Sequence, residues 1–330
     1  MSTVNINNKN INSLNVDADS KSLLFRGLGV TDYIHGSDPL AECDRLEAQF
    51  NFVKKIVWQD DHGLANIVIN NNNKNKNNSN ESNSTSNKNF SSSTASIGRF
   101  LEVGCGVGAQ TESLLHFLPS DVNVISIDID ELKVARAREL YAVNSRVSFH
   151  VMDASDLSRF GDGEFEGAYV CWVFEHLIES KSIKLLQELK RIVKSNGIIL
   201  INEAIMSSIN ESLTSLPITS HYNDLYLQQQ RLDRGNGDFG EFRNIDSILT
   251  RVGFYSFKYQ KMNFHNLSDH KHQQEFVDFT IQNYNSVLPL FIKLGLFSEQ
   301  EFDEMKQELR NNANKLKTYF GKVKIINKLD

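Results

Sequence analysis

The chain has 330 residues, 23% of them charged, and a formal net charge of -6, so it can bury one or two apolar cores. The acidic balance excludes a global basic field for nucleic acid or an anionic membrane, though not a local basic patch. Cys43, Cys105 and Cys171 stand far apart without metal-ligand spacing, which implies free thiols in a reducing compartment and no metal site.

Residues 1–20 are rich in Asn and Ser and lack a secretory apolar core, so they read as a disordered tail. No run approaches the ~18 apolar residues of a membrane span, and the default expectation is a cytoplasmic protein. Residues 21–65 read as an N-terminal helical cap. The loop Asp32-Tyr33-Ile34-His35-Gly36 precedes a helix over 39–58 that has Pro39 in its first turn and Leu46, Phe50, Val53 and Val57 in one apolar stripe. Arg45 and Gln49, one turn apart, flank that stripe. Residues 66–97 read as an Asn/Ser-rich low-complexity insertion, almost wholly Asn, Ser, Lys and Thr over 70–96 and there too poor in apolar residues to pack. A recruiting or aggregation-prone segment is the alternative reading.

From 98 to 330 the sequence reads as the main domain. Strands are expected at 99–103, 122–127, 147–151, 167–172 and 198–201. They alternate with helices at about 109–118, 131–141 and 175–194, the last closed by Asn196-Gly197. That alternation predicts an α/β fold with a parallel sheet, whose ligands sit outside the carboxyl ends of the strands. Those ends carry Glu102, Asp128, Asp153 and Cys171-Trp172. Residues 204–240 have mixed character and read as a cap holding His221, Tyr222 and Tyr226. A helix follows over 241–252, then a strand over 254–264. Residues 270–320 read as helical, with a capping box at Ser298-x-x-Glu301, a helix stop at Gly321 and a last strand at 323–326.

The most informative stretch is Arg99 to Thr111. A buried apolar strand, Phe100, Leu101 and Val103, ends at Gly104-x-Gly106-x-Gly108, and a helix follows. Glycines at such a turn accept positive φ and let a ligand approach the backbone, while the helix start offers N–H groups to an anion. The spacing also matches a nicotinamide-dinucleotide fingerprint formally, through Ala109. No phosphate loop of the G-x-x-x-x-G-K-[ST] type occurs. Asp128 can bind a ribose or merely cap the next helix, and Asp153 can bind a ligand or begin a turn. Cys105 and Cys171 suit packing better than nucleophilic chemistry.

The order of motifs resembles the class I S-adenosylmethionine-dependent methyltransferases. The matching stretches are Glu102-Val-Gly-Cys-Gly-Val-Gly108, Ser126-Ile-Asp-Ile-Asp130, Met152-Asp-Ala154 and Val170-Cys-Trp-Val-Phe-Glu-His-Leu177. Within that family, Tyr33-x-x-Gly36 and Glu42-x-x-Arg45-Leu-x-x-Gln49 resemble the N-terminal cap of small-molecule enzymes of quinone biosynthesis and secondary metabolism. The resemblance implies a Rossmann-like, mostly parallel seven-stranded sheet with one reversed strand and a helical cap, with cap insertions at about 205–240 and 265–318. It implies S-adenosylmethionine as cofactor. The amides around Cys105, Gly106 and Gly108 and the following helix, beginning with Gln110 and Thr111, would hold its methionine carboxylate. Glu102 would sit near its positively charged amino-acid end, Asp128 on the ribose, and Ile129 on the adenine face. Asp153 and the Ala154 N–H would meet the adenine edge, and the main chain near Cys171 the methionine moiety. Tyr33, Arg45 and Gln49 would close the top.

The implied reaction is methyl transfer to an O, N or C nucleophile of a small molecule. His176, His221 and Tyr222 are the candidate general bases, needed only if the acceptor arrives protonated. Cys171-Trp-Val-Phe174 stands where amino-methylating nucleic-acid enzymes carry Asn/Asp-Pro-Pro-Tyr/Phe, so no nucleic-acid acceptor is expected. A protein methyltransferase, a non-catalytic cofactor-binding scaffold and a dinucleotide oxidoreductase are the alternatives.

Overall fold

The computed structural model describes residues 43–48, 98–205, 213, 215–233, 245–263, 270–316 and 319–327. The expected tail, the Asn-rich insertion, most of the 39–58 helix and the Gly235-Asn-Gly237 stretch lie outside those residues. One seven-stranded sheet runs β3-β2-β1-β4-β5-β7-β6. Its strands are β1 (Gly98–Val103), β2 (Val122–Asp128), β3 (Val147–Val151), β4 (Phe165–Cys171), β5 (Val193–Ile205), β6 (Phe257–Asn263) and β7 (Tyr319–Asn327). The first five pair in parallel, and β7 runs antiparallel to both of its neighbours. The fold is therefore the expected Rossmann-like, mostly parallel sheet with one reversed strand.

Alternation along the strands separates two cores. Leu101, Val103, Ile127, Val170, Ile199 and Ile201 point to one face and meet α3 (Glu179–Ile192) and α5 (Ile245–Val252). Phe100, Val124, Tyr169, Cys171 and Leu200 point to the other and meet Leu114 and Leu118, in and just beyond α1 (Thr111–Phe117). On that same side α2 (Glu131–Leu140) packs Val134 and Ala137 beside Cys105 and Phe149. Arg146 secures the α1 end. Its guanidinium donates to the carbonyls of Leu115, Leu118, Pro119 and Val122, covering acceptors that the helix leaves open.

A third core is helical. It joins α4 (Pro217–Asp233), α6 (His270–Asn285), α7 (Leu288–Lys293) and α8 (Glu299–Asn311) around Tyr222, Tyr284, Phe291, Phe297 and Phe302. The predicted capping box opens α8, with Ser298 and Glu301 exchanging hydrogen bonds. The Glu308 carboxylate of α8 accepts the Thr219 N–H at 2.8 Å and its hydroxyl at 2.6 Å, capping α4 from another helix.

Three boundaries differ from the sequence reading. Residues 217–233, read as mixed, form α4. Asn196-Gly197 does not close α3, whose C-cap is Val193 in extended geometry. The β4–β5 pairing instead jumps from Phe165–Val193 to Gly167–Ile198, and Asn196 takes φ 61° within that irregularity. Gly321 lies inside β7 rather than stopping a helix, since α8 ends at Asn311 and Phe320 pairs with Ala204.

Replacing Glu308 by Ala uncaps α4 and should cost about 1–2 kcal/mol of stability. Urea unfolding of parent and variant at pH 7 measures it, and an unchanged midpoint and slope would show that the cap contributes nothing.

Candidate functional site

The carboxyl ends of β1, β2 and β4 converge on the glycine loop. Gly104, Gly106 and Gly108 all take positive φ (75°, 52° and 86°), and two of them also lack room for a side chain. A Cβ on Gly104 would come 2.2 Å from the Val173 Cγ2. One on Gly108 would come 2.8 Å from the Tyr141 ring, whose hydroxyl donates to the Gly108 carbonyl at 2.8 Å. At Gly106 such a Cβ would meet nothing within 4 Å, so the loop is open at its middle.

The loop spends amides expected to face an anion on the protein itself. The Gly104 and Cys105 N–H groups donate to the Ile127 carbonyl, and the Gly108 N–H to the Cys105 carbonyl. The Gly106 N–H donates to the Asp128 carboxylate at 2.8 Å. The cause is local: the loop folds back against the end of β2, where the nearest acceptors are Ile127 and Asp128. The Cys105, Gly106 and Gly108 amides expected to hold a carboxylate thus have partners within the protein.

Two acids flank this loop. Glu102 is 1% exposed. Its Oε2 accepts the hydroxyls of Thr111 and Ser126, while Oε1 has no hydrogen-bond partner. Burial, partly offset by those two hydroxyls and reinforced by Asp128, pushes its carboxyl from 4.5 up to about 7. Asp128 also accepts the Asp130 N–H, and each of its oxygens keeps a further lone pair. Asp130, not Asp128, caps α2. Ile129, next in sequence, is 68% exposed, an apolar side chain left beside the open Gly106.

Farther along the sheet edge, Asp153 accepts the Ser155 N–H and the Lys181 ammonium. Burial works against its charge, yet these Ser155 and Lys181 contacts hold the carboxyl below its usual value. Lys181 was not among the sequence candidates. Ala154, half-buried, packs on the α3-side core. Two expected ligand residues face inward. The Thr111 hydroxyl belongs to Glu102, and the Gln110 side chain accepts from the Tyr169 hydroxyl and donates to Cys171 Sγ at 3.3 Å. The Asn202 amide extends that chain onto β5 by donating to Tyr169 at 2.9 Å. The side chains of Gln110 and Thr111 support the loop, their polar groups being consumed in the buried layer between α1 and the sheet. Cys105 and Cys171 are buried thiols, and burial drives Cys105 well above its ordinary value, as packing residues rather than nucleophiles.

After β4 the chain turns through Trp172, at φ 54°, into one 3-10 turn, Phe174–His176. Glu203, buried near the end of β5, accepts the N–H groups of Val173 and Phe174 at 2.9 and 3.0 Å. The sequence reading passed over Glu203. A carboxylate inside an apolar strand, Ile198 to Ile205, was the available signal.

The three candidate bases separate in space. His176 is half-buried in the 3-10 turn beside the loop. His221 lies exposed on α4, its ring 6.0 Å from that of Phe297. Tyr222 is fully buried in the helical core, and its hydroxyl donates to the Tyr284 carbonyl at 2.7 Å. Burial pushes that hydroxyl far above its ordinary value, so Tyr222 is corrected from candidate base to core residue. Arg45, in the helical turn 43–48, donates to Asn283 of α6. Burial, then Glu102, Glu112 and last Glu47 of the same turn, raise the Tyr141 hydroxyl. Tyr33 and Gln49 lie outside the described residues. No cluster of three His, Cys, Asp or Glu side chains that could hold a metal occurs among the described residues, and no described helix is long and apolar enough to cross a membrane.

Residues 101–201 match the family of the methyltransferase domain. An O-methyltransferase of Penicillium expansum is 26% identical over 137 residues, 41% of this chain and 47% of that protein. Sterol 24-C-methyltransferase ERG6B of Gibberella zeae is 26% identical over 159 residues, 47% of this chain and 38% of that protein. The chain thus spans less than half the length of both curated relatives. Among solved structures, phosphoethanolamine N-methyltransferase 2 of Haemonchus contortus with S-adenosyl-L-methionine is similar at TM-score 0.46 and 15% identity, over 72% of this chain and 50% of that one. A putative sarcosine dimethylglycine methyltransferase of Galdieria sulphuraria follows at TM-score 0.43 and 16% identity, over 70% and 79%.

The raised Glu102 carboxyl sets a pH dependence. Between 4.5 and about 7 the folded protein keeps a proton that the unfolded chain has released, so this stabilisation is full below that window and lost as pH rises through it. Relative to Glu102→Gln, the parent should lose about 3 kcal/mol between pH 4 and 8, at about 1.4 kcal/mol per unit. Urea unfolding across that range checks it, and parallel stability curves would refute it.

Proposed function

We propose that this chain, whose residues 101–201 match the family of the methyltransferase domain, is a class I S-adenosylmethionine-dependent enzyme that transfers a methyl group to an O, N or C nucleophile of a small molecule. The observation that carries the cofactor side is the open space at Gly106 in an acid-flanked loop. The N–H that a pyrophosphate would need is donated to Asp128, and two carboxylates, Glu102 and Asp128, adjoin the loop. A cationic nucleoside suits that environment.

The residues present fit the nucleoside. Open space beside Gly106 adjoins the Asp128 carboxylate, whose remaining lone pairs would accept the ribose hydroxyls. The exposed Ile129 side chain would lie on an adenine face and lose contact with water. Asp153, held ionised, would accept from an adenine amino group with the Ala154 N–H beside it, and the main chain at Cys171 would border the methionine moiety. When bound, S-adenosylmethionine supplies a methyl group already activated by its sulfonium. The protein then has to desolvate, orient and hold the acceptor. His176 is the remaining candidate beside the loop for taking a proton from an acceptor that arrives protonated, and His221 would need an acceptor reaching the outer side of α4.

The N-terminal cap of residues 21–65, the segment of about 205–240 and the helices within 265–318 would enclose that acceptor, a reading supported by the Arg45–Asn283 bond between the turn 43–48 and α6. No part of this chemistry is assigned to the 1–20 tail or the 66–97 insertion, and a cytoplasmic setting fits three cysteines that form no disulfide. A protein acceptor is the second reading of the same site.

Asp128→Ala should weaken S-adenosylmethionine binding by about 10- to 100-fold, the loss of hydrogen bonds to a charged group, as measured by titration calorimetry. Unchanged affinity removes Asp128 from the site. Tight NAD binding with no response to S-adenosylmethionine replaces the methyltransferase reading with an oxidoreductase.

A further inference from the structure

Glu203 is 1% exposed, on the face of β5 that carries the buried Ile199 and Ile201. A carboxylate buried there must be compensated by what it holds. It holds the backbone of the β4–α3 connection, accepting the Val173 and Phe174 N–H groups with one oxygen. The Trp172 N–H just before them donates to the Asn202 carbonyl at 2.9 Å. Three consecutive amides are thus fixed by two consecutive residues of β5.

This clamp has two effects. First, it sustains Trp172 at φ 54°, a conformation that a bulky residue adopts only when its surroundings impose it. Second, it sets the position of Val173, whose methyl group occupies the space where a Cβ of Gly104 would be. The glycine loop and the Trp172–His176 turn therefore touch at one point, and Glu203 fixes one side of that contact. The sheet-end loops on either side of the crevice are set relative to each other by a residue that lines neither of them.

We propose that Glu203 is a positioning residue: through Val173 and Trp172 it aligns the turn after β4 with the glycine loop, and so fixes the geometry in which the crevice grips its nucleoside. The proposal rests on the S-adenosylmethionine reading for the ligand, while the clamp itself can be read without one.

The chain has two tryptophans, Trp58 and Trp172, so Trp58→Phe makes Trp172 the sole reporter of indole emission. In that background, Glu203→Ala should shift the Trp172 emission to longer wavelength without ligand. It should weaken S-adenosylhomocysteine binding at least tenfold by calorimetry, well below the unfolding temperature. Glu203→Gln keeps a carbonyl oxygen facing the two N–H groups and should restore most of both signals. Val173→Ala, which leaves Glu203 in place, should weaken binding without the full emission shift. A purely structural Glu203 would lower the unfolding temperature and leave emission and affinity as in the parent. That result overturns the proposal. If Glu203→Ala does not fold, parent-like affinity in Val173→Ala overturns it instead. A parent that binds neither S-adenosylmethionine nor S-adenosylhomocysteine defeats the functional reading, and the emission shift alone then decides whether the clamp exists.

Discussion

The structure depends on a close approach that permits no side chain. Gly104 ends β1 at a point where the Val173 methyl group, from the turn after β4, fills the volume a Cβ would need. Neighbouring parallel strands lie about 5 Å apart, so loops leaving adjacent carboxyl ends compete for the same space. Here the competition is resolved by giving one loop a glycine and the other a β-branched residue held by Glu203. Space stays open at Gly106, while the loop glycines on either side of it are crowded: Gly104 by Val173, and Gly108 by the Tyr141 ring and hydroxyl.

Around this point the site is built from acids rather than from cations. Glu102 lies beneath the loop with one oxygen unpartnered, and Asp128 closes over it through the Gly106 N–H. A second polar layer, Asn202–Tyr169–Gln110–Cys171, runs under the β4 and β5 ends. Buried polar chains of this kind fix one arrangement, since each lost partner leaves another group unpaired in a low-dielectric interior. They account for the inward direction of the Gln110 and Thr111 side chains, which anchor the start of α1 to the sheet.

The sheet was legible because its information is local. Apolar runs bounded by Gly, Pro and Asp marked β1 to β5 to within a few residues, except that β5 begins five residues before its apolar run and continues to Ile205, and Ser298-x-x-Glu301 marked the start of α8. What escaped was non-local. Helix α4 carries Thr219, Tyr222 and Asn223 where an amphipathic pattern would place apolar residues, and each is satisfied by a partner about 60 or 90 positions away, Tyr284 or Glu308. Tyr222 looked like a base for the same reason, since its hydroxyl's partner is a carbonyl on another helix. Asn196-Gly197 looked like a helix stop because the bulge in β5 uses the same left-handed geometry that helix ends use. Within the candidate site, Glu102 and Asp128 stand at strand ends that the local pattern marked, whereas Glu203 acquires a purpose only once β4 and β5 are side by side.

The reversed strand has a consequence for how the molecule is made. β7 follows every other described element in the chain, yet it occupies an interior place in the sheet, with β5 on one side and β6 on the other. Until its nine residues arrive, two strand edges stand unpaired, each a template for another chain. The sheet therefore cannot be sealed during synthesis of the preceding three hundred residues, and the nascent protein passes through a stage at which its most adhesive surface awaits its final insert.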